Sequence, residues 1–517
     1  MPETSPRAHQ ALRSILPLIP TASSGPLIFA LTEGFPHKRE SRKVQTTYLR
    51  NVLWCITYAP GIRDQMLHVA VERILQVDVE IQVGVEEMEE MEEGEDPSRC
   101  DATAAVTKDP SPLSHLDSES DGDEESDEDD EDETEAQRLR MGEKRDTLQK
   151  IRGLTLKLDA LLMLIFEFFQ EERKRISGTS STPSDIETDQ FTLILEIFDR
   201  LILRTFKSRY TQFLLFWAAS AQPAEFPDIF LGHLISLVTG PIGGADAGSS
   251  RSRFSPDVTR IAAASYVGSF VARAKFMPGD GVRNVTGILL AWASQYVEQC
   301  ERQSSIAIGP DQAKHAVFYA VIQAVMYIFC FRWRELRIEA LEEKDEEDGE
   351  EEPKEPVGVL SSWYPVISPL PRVIMSRLNP LKMCSKPVVQ QFAHLSRSTH
   401  LMYCYTIIER NKSIYIPRSS SSTPGGELYS FFPFDPCQLP KTGRWVKDLY
   451  NEWEADDDDD DSDDDDGDEE EEDEDEGDFL GPDDDEEGIR GGVGAMSLSP
   501  ASDSFLVSGI RRSKGTQ

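Results

Sequence analysis

Apolar residues recur at intervals of three and four along most of the chain, and no convincing alternation of period two appears, so helices are expected and strands are not. Over 44–58, Val44, Tyr48, Leu49, Val52 and Ile56 fall on one face; Pro60-Gly61 breaks the run; and 62–77 resumes with Met66, Val69, Ala70, Ile74 and Val77. That pattern predicts two short helices packed antiparallel across a tight turn. The unit recurs. A helix is expected over 143–175, a Gly/Ser/Thr/Pro loop over 177–184, and a second helix over 191–219 whose polar face carries Asp199, Arg200, Arg204, Lys207 and Arg209. After the glycine-rich loop 240–250 come helices over 261–276 and 285–300, joined by the turn Pro278-Gly279-Asp280-Gly281, and then 313–341. From 353 onward frequent prolines bracket shorter helical pieces at 373–378, 386–396 and 400–409.

Hairpins of roughly 40 residues are the spacing of HEAT-type repeats. The expected fold is all-α, an irregular HEAT-type α-solenoid with disordered acidic inserts and a disordered C-terminal tail. The expected organisation is an N-terminal helical part over 1–85, an acidic insert over 86–138, central repeats over 139–341, an acidic loop over 342–357, a C-terminal helical part over 358–453 and an acidic tail over 454–517.

Charge changes this picture. The 517 residues carry a formal charge of −41. Four runs, 86–96, 117–135, 342–355 and 456–487, hold 57 of the 94 acidic residues and two of the 53 basic ones, which leaves the rest of the chain at +14. The runs are too hydrophilic and self-repelling to pack. A basic body with acidic appendages leaves room for an acidic partner, and it sets up competition between that partner and the runs. Any DNA affinity is expected to come from the basic body, to be weak and to lack sequence specificity, since no groove-reading motif is present.

Candidate chemistry is sparse. There is no phosphate-binding glycine loop with its lysine, no nucleophile elbow, no kinase signature set and no zinc-ligand spacing, and the aspartate runs lack the pattern of a calcium loop. No catalytic residue, metal or cofactor is expected. The seven cysteines suit free thiols in a reducing compartment. The 16-residue apolar run 316–331 is short of the roughly 20 residues that span a bilayer and reads as a buried helix, so no membrane partner is expected.

Two basic clusters are candidate partner contacts: Arg273 and Lys275, and Arg332, Arg334 and Arg337 around Trp333. Cations at helix C-termini are also favoured by the helix dipole alone, so a stabilising role stands beside the partner role. Ser118, Ser120, Ser126 and Ser462 precede acidic residues and are candidate phosphorylation sites, while Ser111, Ser368, Thr423 and Ser499 precede prolines.

Four strings are more specific than any of these patterns. ASYVGSFVARAKF at 264–276, MSRLNPLKMC at 375–384, YCYTIIERN at 403–411 and FFPFDPC at 431–437 resemble, in that order, signature stretches of the RNA polymerase I-specific transcription initiation factor family, also called transcription initiation factor IA. The resemblance runs from about residue 7 to 453. It implies a non-catalytic HEAT-repeat adaptor, regulated by phosphorylation, that docks on RNA polymerase I and bridges it to the selectivity or core factor bound at the ribosomal DNA promoter, in the nucleus and nucleolus. It also implies that the chain begins inside the family's repeat array, with one or two repeats missing. A homodimer stays open. Phe431, Phe432 and Phe434, set between prolines, are read first as aromatics pinning the last hairpin to earlier repeats and second as a polymerase contact. Two rival classes remain: a HEAT-type transport or scaffold protein, and a histone or chromatin chaperone acting through its acidic tracts.

Overall fold

Helix α1, Thr4–Ile15, and α2, Pro20–Glu33, precede the first helices expected from the sequence. The His9 ring of α1 stacks on Trp54 at 4.1 Å and hydrogen-bonds Tyr58 Oη at 2.7 Å, which seats α1 on the next helix. That helix is α3, Arg42–Tyr58, opened by Ser41, whose hydroxyl accepts from the Val44 amide. A single 3₁₀ turn over Pro60–Ile62 leads into α4, Arg63–Glu93, completing the expected hairpin. The computed structural model describes residues 4–18, 20–93, 127–176, 183–205, 208–240, 256–303, 309–338, 362–413 and 432–453. The tail 454–517 and the acidic loop expected over 342–357 lie outside them.

Beyond α4 the helices stack layer on layer. α5, Asp127–Ile176, packs on α3 and α4; α6, Pro183–Ile197, packs on α5; α8, Phe213–Ala219, packs on α6; α9, Phe226–Val238, packs on α10, Asp257–Arg273. α10 and α11, Gly279–Gln303, then sandwich α12, Gln312–Leu336, against α15, Lys386–Ser398. The short α13, Leu370–Ile374, α14, Pro380–Met383, and α16, Tyr405–Ser413, complete the last layer. No strand occurs among the described residues, where extended pairing is limited to two isolated antiparallel bridges, Ala274–Tyr450 and Arg337–Trp363. The irregular all-α solenoid expected from the 3.6-residue period is the fold observed.

Several boundaries differ from the sequence reading. α4 runs to Glu93 and α5 starts at Asp127, so helix enters the acidic insert from both sides, because elongating a formed helix is cheap. The Pro278–Gly281 turn is shorter than expected, because Gly279 and Asp280 already belong to the first turn of α11. The continuous helix expected over 191–219 does not form. A π turn at Phe198–Ile202 and the one-turn α7, Leu203–Thr205, end it, and residues 208–212 leave helical geometry before α8.

The cause of that break is Asp78 on α4. Its fully buried carboxylate accepts from the Tyr210 amide at 3.0 Å, the Thr211 amide at 2.8 Å, the Ser208 hydroxyl at 2.8 Å and the Thr211 hydroxyl at 2.7 Å. A carboxylate in a dry site needs such donors, and the chain supplies them by giving up helical hydrogen bonds. Asp159 on α5 repeats the device, accepting from the Lys441 and Thr442 amides and, at 2.8 Å, from the Thr442 hydroxyl. Asp159 thereby anchors residues 432–453, which run back across the stack as a strap.

α12 is the central core helix. By length and composition it could cross a membrane, yet 78% of its most apolar stretch is buried in the protein. At Gly268 of α10, a β-carbon would come within 2.8 Å of Ala324, which explains why the two helices approach so closely there. His315, near the start of α12, is buried and hydrogen-bonded to Tyr296 Oη at 2.8 Å, and burial pushes its pKa below the ordinary value. The unfolded chain then binds this proton more readily than the folded one, so the contribution is intact above about pH 6.5 and is lost as pH falls below it. In thermal melts between pH 7.5 and 5.5, H315Q should start below wild type, and the gap should narrow toward pH 5.5.

Candidate interaction surface

The two basic clusters meet at one end of the α10–α12 pair, but their members divide between core and surface. Arg273, in the last turn of α10, is fully buried, so it cannot be a partner contact in the folded chain. Its Nε donates to Tyr327 Oη at 3.1 Å, its Nη1 reaches the Asn451 carbonyl at 3.4 Å, and its guanidinium lies over the Phe331 ring at 4.1 Å. Asp435 of the strap stands 4.0 Å away, which offsets the buried charge. Arg332 is likewise buried: Nη1 donates to the Ala274 carbonyl at 3.0 Å and Nη2 to Met277 at 2.9 Å, closing the C-terminal end of α10. The stabilising role is the one these two arginines occupy.

Lys275, Arg334 and Arg337 remain on the surface. Lys275 is held in place by its own amide, which donates to Leu449 of the strap at 3.0 Å. Arg334 lies over the Trp333 ring at 5.0 Å, and Arg337 leaves α12 beside Trp363. A small cleft of about 40 Å³ opens next to them, lined by Trp333, Arg334, Leu395, Glu452 and Trp453 among others. Indoles flanked by arginine on a rigid helix end suit an acidic protein surface, because the cations desolvate readily beside the rings.

Among the described residues, no three His, Cys, Asp or Glu side chains cluster as a metal site would require. The thiols of Cys55, Cys300, Cys330, Cys384, Cys404 and Cys437 are free, and burial pushes Cys404 up to about 11 and Cys437 up to about 12, so neither is a ready nucleophile. Ser118, Ser120, Ser126 and Ser462 lie outside the described residues, as does Phe431.

The signature strings are mostly structural. Phe432 stacks on Tyr327 at 4.1 Å, and Phe434 is fully buried among Phe213, Phe216, Tyr266 and Phe270. This is the pinning role expected of them. Asn379, in left-handed geometry at φ 44°, exchanges amide hydrogen bonds with Asn411, joining the second string to the third. Sequence reasoning missed one feature. Residues 362–413 contain seven Lys or Arg and one Glu, whereas 142–240 contain 12 and 13; counting charge by layer along the chain would have found it.

Comparison with known proteins matches the arrangement. The family described as RNA polymerase I specific transcription initiation factor RRN3 matches residues 2–457. RNA polymerase I-specific transcription initiation factor rrn3 of Schizosaccharomyces pombe is 36% identical over 448 residues, 86% of this chain and 66% of the relative. The Mus musculus factor is 29% identical over 462 residues, 88% of this chain and 62% of the relative. The chain thus spans just under two thirds of the length of both. The crystal structure of RNA polymerase I transcription initiation factor Rrn3 shares the fold, with a TM-score of 0.60 at 23% identity over 86% of this chain and 73% of that one. With a family match over most of its length and a relative at this identity, the chain belongs to the RNA polymerase I-specific transcription initiation factor family RRN3.

Proposed function

We propose that the chain is a non-catalytic adaptor for transcription of ribosomal DNA, binding RNA polymerase I and bridging it to the promoter-bound selectivity or core factor in the nucleolus. The observation that carries this reading is the family match over residues 2–457. A rigid stack of helices with an exposed cation–indole surface supports it, since an adaptor needs fixed surfaces and no reaction centre. Phosphorylation of Ser118, Ser120, Ser126 or Ser462 belongs to the same proposal and would add about −1.5 to −2 charges per site.

The test is affinity purification of the intact chain with identification of the subunits that copurify. Recovery of RNA polymerase I subunits is expected; histones or transport cargoes without any of them would overturn the reading. Deleting 456–487 should leave polymerase recovery largely intact, whereas a chaperone acting through its acidic tract would lose histones. K275E/R334E/R337E should cut polymerase recovery by about tenfold while costing no more than about 2 kcal/mol of stability, because exposed charges contribute to docking and, near a helix C-terminus, only about 0.3–1 kcal/mol each to folding. Size-exclusion chromatography with light scattering will show whether the chain forms a homodimer.

A further inference from the structure

The last layer of the solenoid is far more basic than the others, and the most acidic run of the chain is tethered beside it. Arg377, Lys382, Lys386, Arg397, Arg410 and Lys412 are all exposed on residues 362–413. Arg372, the seventh cation, pairs with Glu298 and Glu301 of α11. The layer's one acidic residue is Glu409, so its own carboxylates cannot balance this face.

The chain leaves the described structure at Trp453, whose ring packs edge-on against Phe331 at 5.0 Å and shares the small cleft with Leu395 of α15. α15 also carries Lys386 and Arg397. The run 456–487, with 25 acidic residues, therefore starts three residues from a point fixed against the basic layer. It extends 34 residues past Trp453, an extended reach of about 110 Å, so every cation of the layer is accessible to it.

We infer that residues 456–487 dock on the exposed basic face of residues 362–413 of the same chain, as an intramolecular competitor for any polyanion that this face would otherwise bind. Tethering puts the competitor at an effective concentration in the millimolar range, high enough to outcompete weak non-specific ligands and low enough to yield to a tight one. The contact is electrostatic, without a fixed register, and weakens as the screening length falls from about 10 Å at 0.1 M salt to about 3 Å at 1 M. This inference goes beyond the adaptor reading and does not depend on it, because both arms of its test omit polymerase.

Carbodiimide treatment of the full chain, followed by mass spectrometry, reads the contact directly by joining carboxylates to nearby lysine amines. At about 50 mM salt, cross-links from 456–487 should favour Lys382, Lys386 and Lys412 over the exposed Lys43, Lys150 and Lys174 by about fivefold or more, and the bias should vanish at about 1 M. Equal yields at all six lysines, a bias that persists at high salt, or a bias found only between isotopically distinct chains would overturn the inference. Heparin binding supplies the second arm. Replacing the acidic residues of 456–487 by Asn and Gln in the full chain should raise heparin affinity by about tenfold, and K382Q/K386Q/K412Q should abolish most of that gain. An equal gain in both backgrounds would show that the run acts elsewhere.

Discussion

Replacing Asp78 by alanine should lower the stability of the fold by about 3–5 kcal/mol, a large share of what holds a domain together. The carboxylate is fully buried and takes backbone amides from Arg209, Tyr210 and Thr211 together with the hydroxyls of Ser208 and Thr211. Truncation leaves those donors buried without an acceptor, each at a cost of about 1–3 kcal/mol, only partly relieved if water enters. D78N should fall between alanine and wild type, since its carbonyl still accepts but its amide faces other donors. Denaturant melts followed by circular dichroism will measure both variants. A loss below about 1 kcal/mol for D78A would mean that residues 208–212 hold their course without the carboxylate.

F434A should cost a similar amount, about 3–5 kcal/mol, through the cavity it leaves. Phe434 lies with its ring 5.2 to 5.8 Å from those of Phe213, Phe216, Tyr266 and Phe270, its amide donates to Ser269 Oγ at 3.0 Å, and its carbonyl accepts from Tyr450 Oη at 2.8 Å. The strap 432–453 has no long helix of its own, so this anchor, with Asp159 at Lys441 and Thr442, holds the strap down. Limited proteolysis should cut F434A within 432–453 before the helices are attacked. Y403A makes the contrast: Tyr403 is 54% exposed, and its loss should change stability by no more than about 0.5 kcal/mol. Equal effects of the two substitutions would refute the division of the signature strings into packing and surface residues.

Much of this fold was legible in the sequence. The hairpin of α3 and α4 follows from apolar spacing and one Pro-Gly break, and the buried α12 follows from a 16-residue apolar run broken only by Gln323, because both signals depend only on neighbours a few residues apart. The α1 and α2 helices were less visible: Pro17, Pro20 and Pro26 obscure their period, and His9 seats α1 through contacts with Trp54 and Tyr58 that no local window contains. The segment 191–219 went wrong for a related reason. Its composition is that of a helix, and the residue that breaks it sits 130 positions earlier.

The basic residues divide along the same line. The sequence by itself determined that the body is basic, that most of its acid is concentrated in four runs, that helices build the fold, and, through four short strings, which family the chain resembles. Tertiary structure alone decided that Arg273 and Arg332 are interior fasteners while Lys275, Arg334 and Arg337 face solvent, since each role depends on carbonyls, rings and carboxylates brought in from elsewhere in the chain. Periodicity records which face of a helix is apolar. It does not record which distant backbone ends a long cation will be asked to satisfy, because that partner exists only once the layers have stacked.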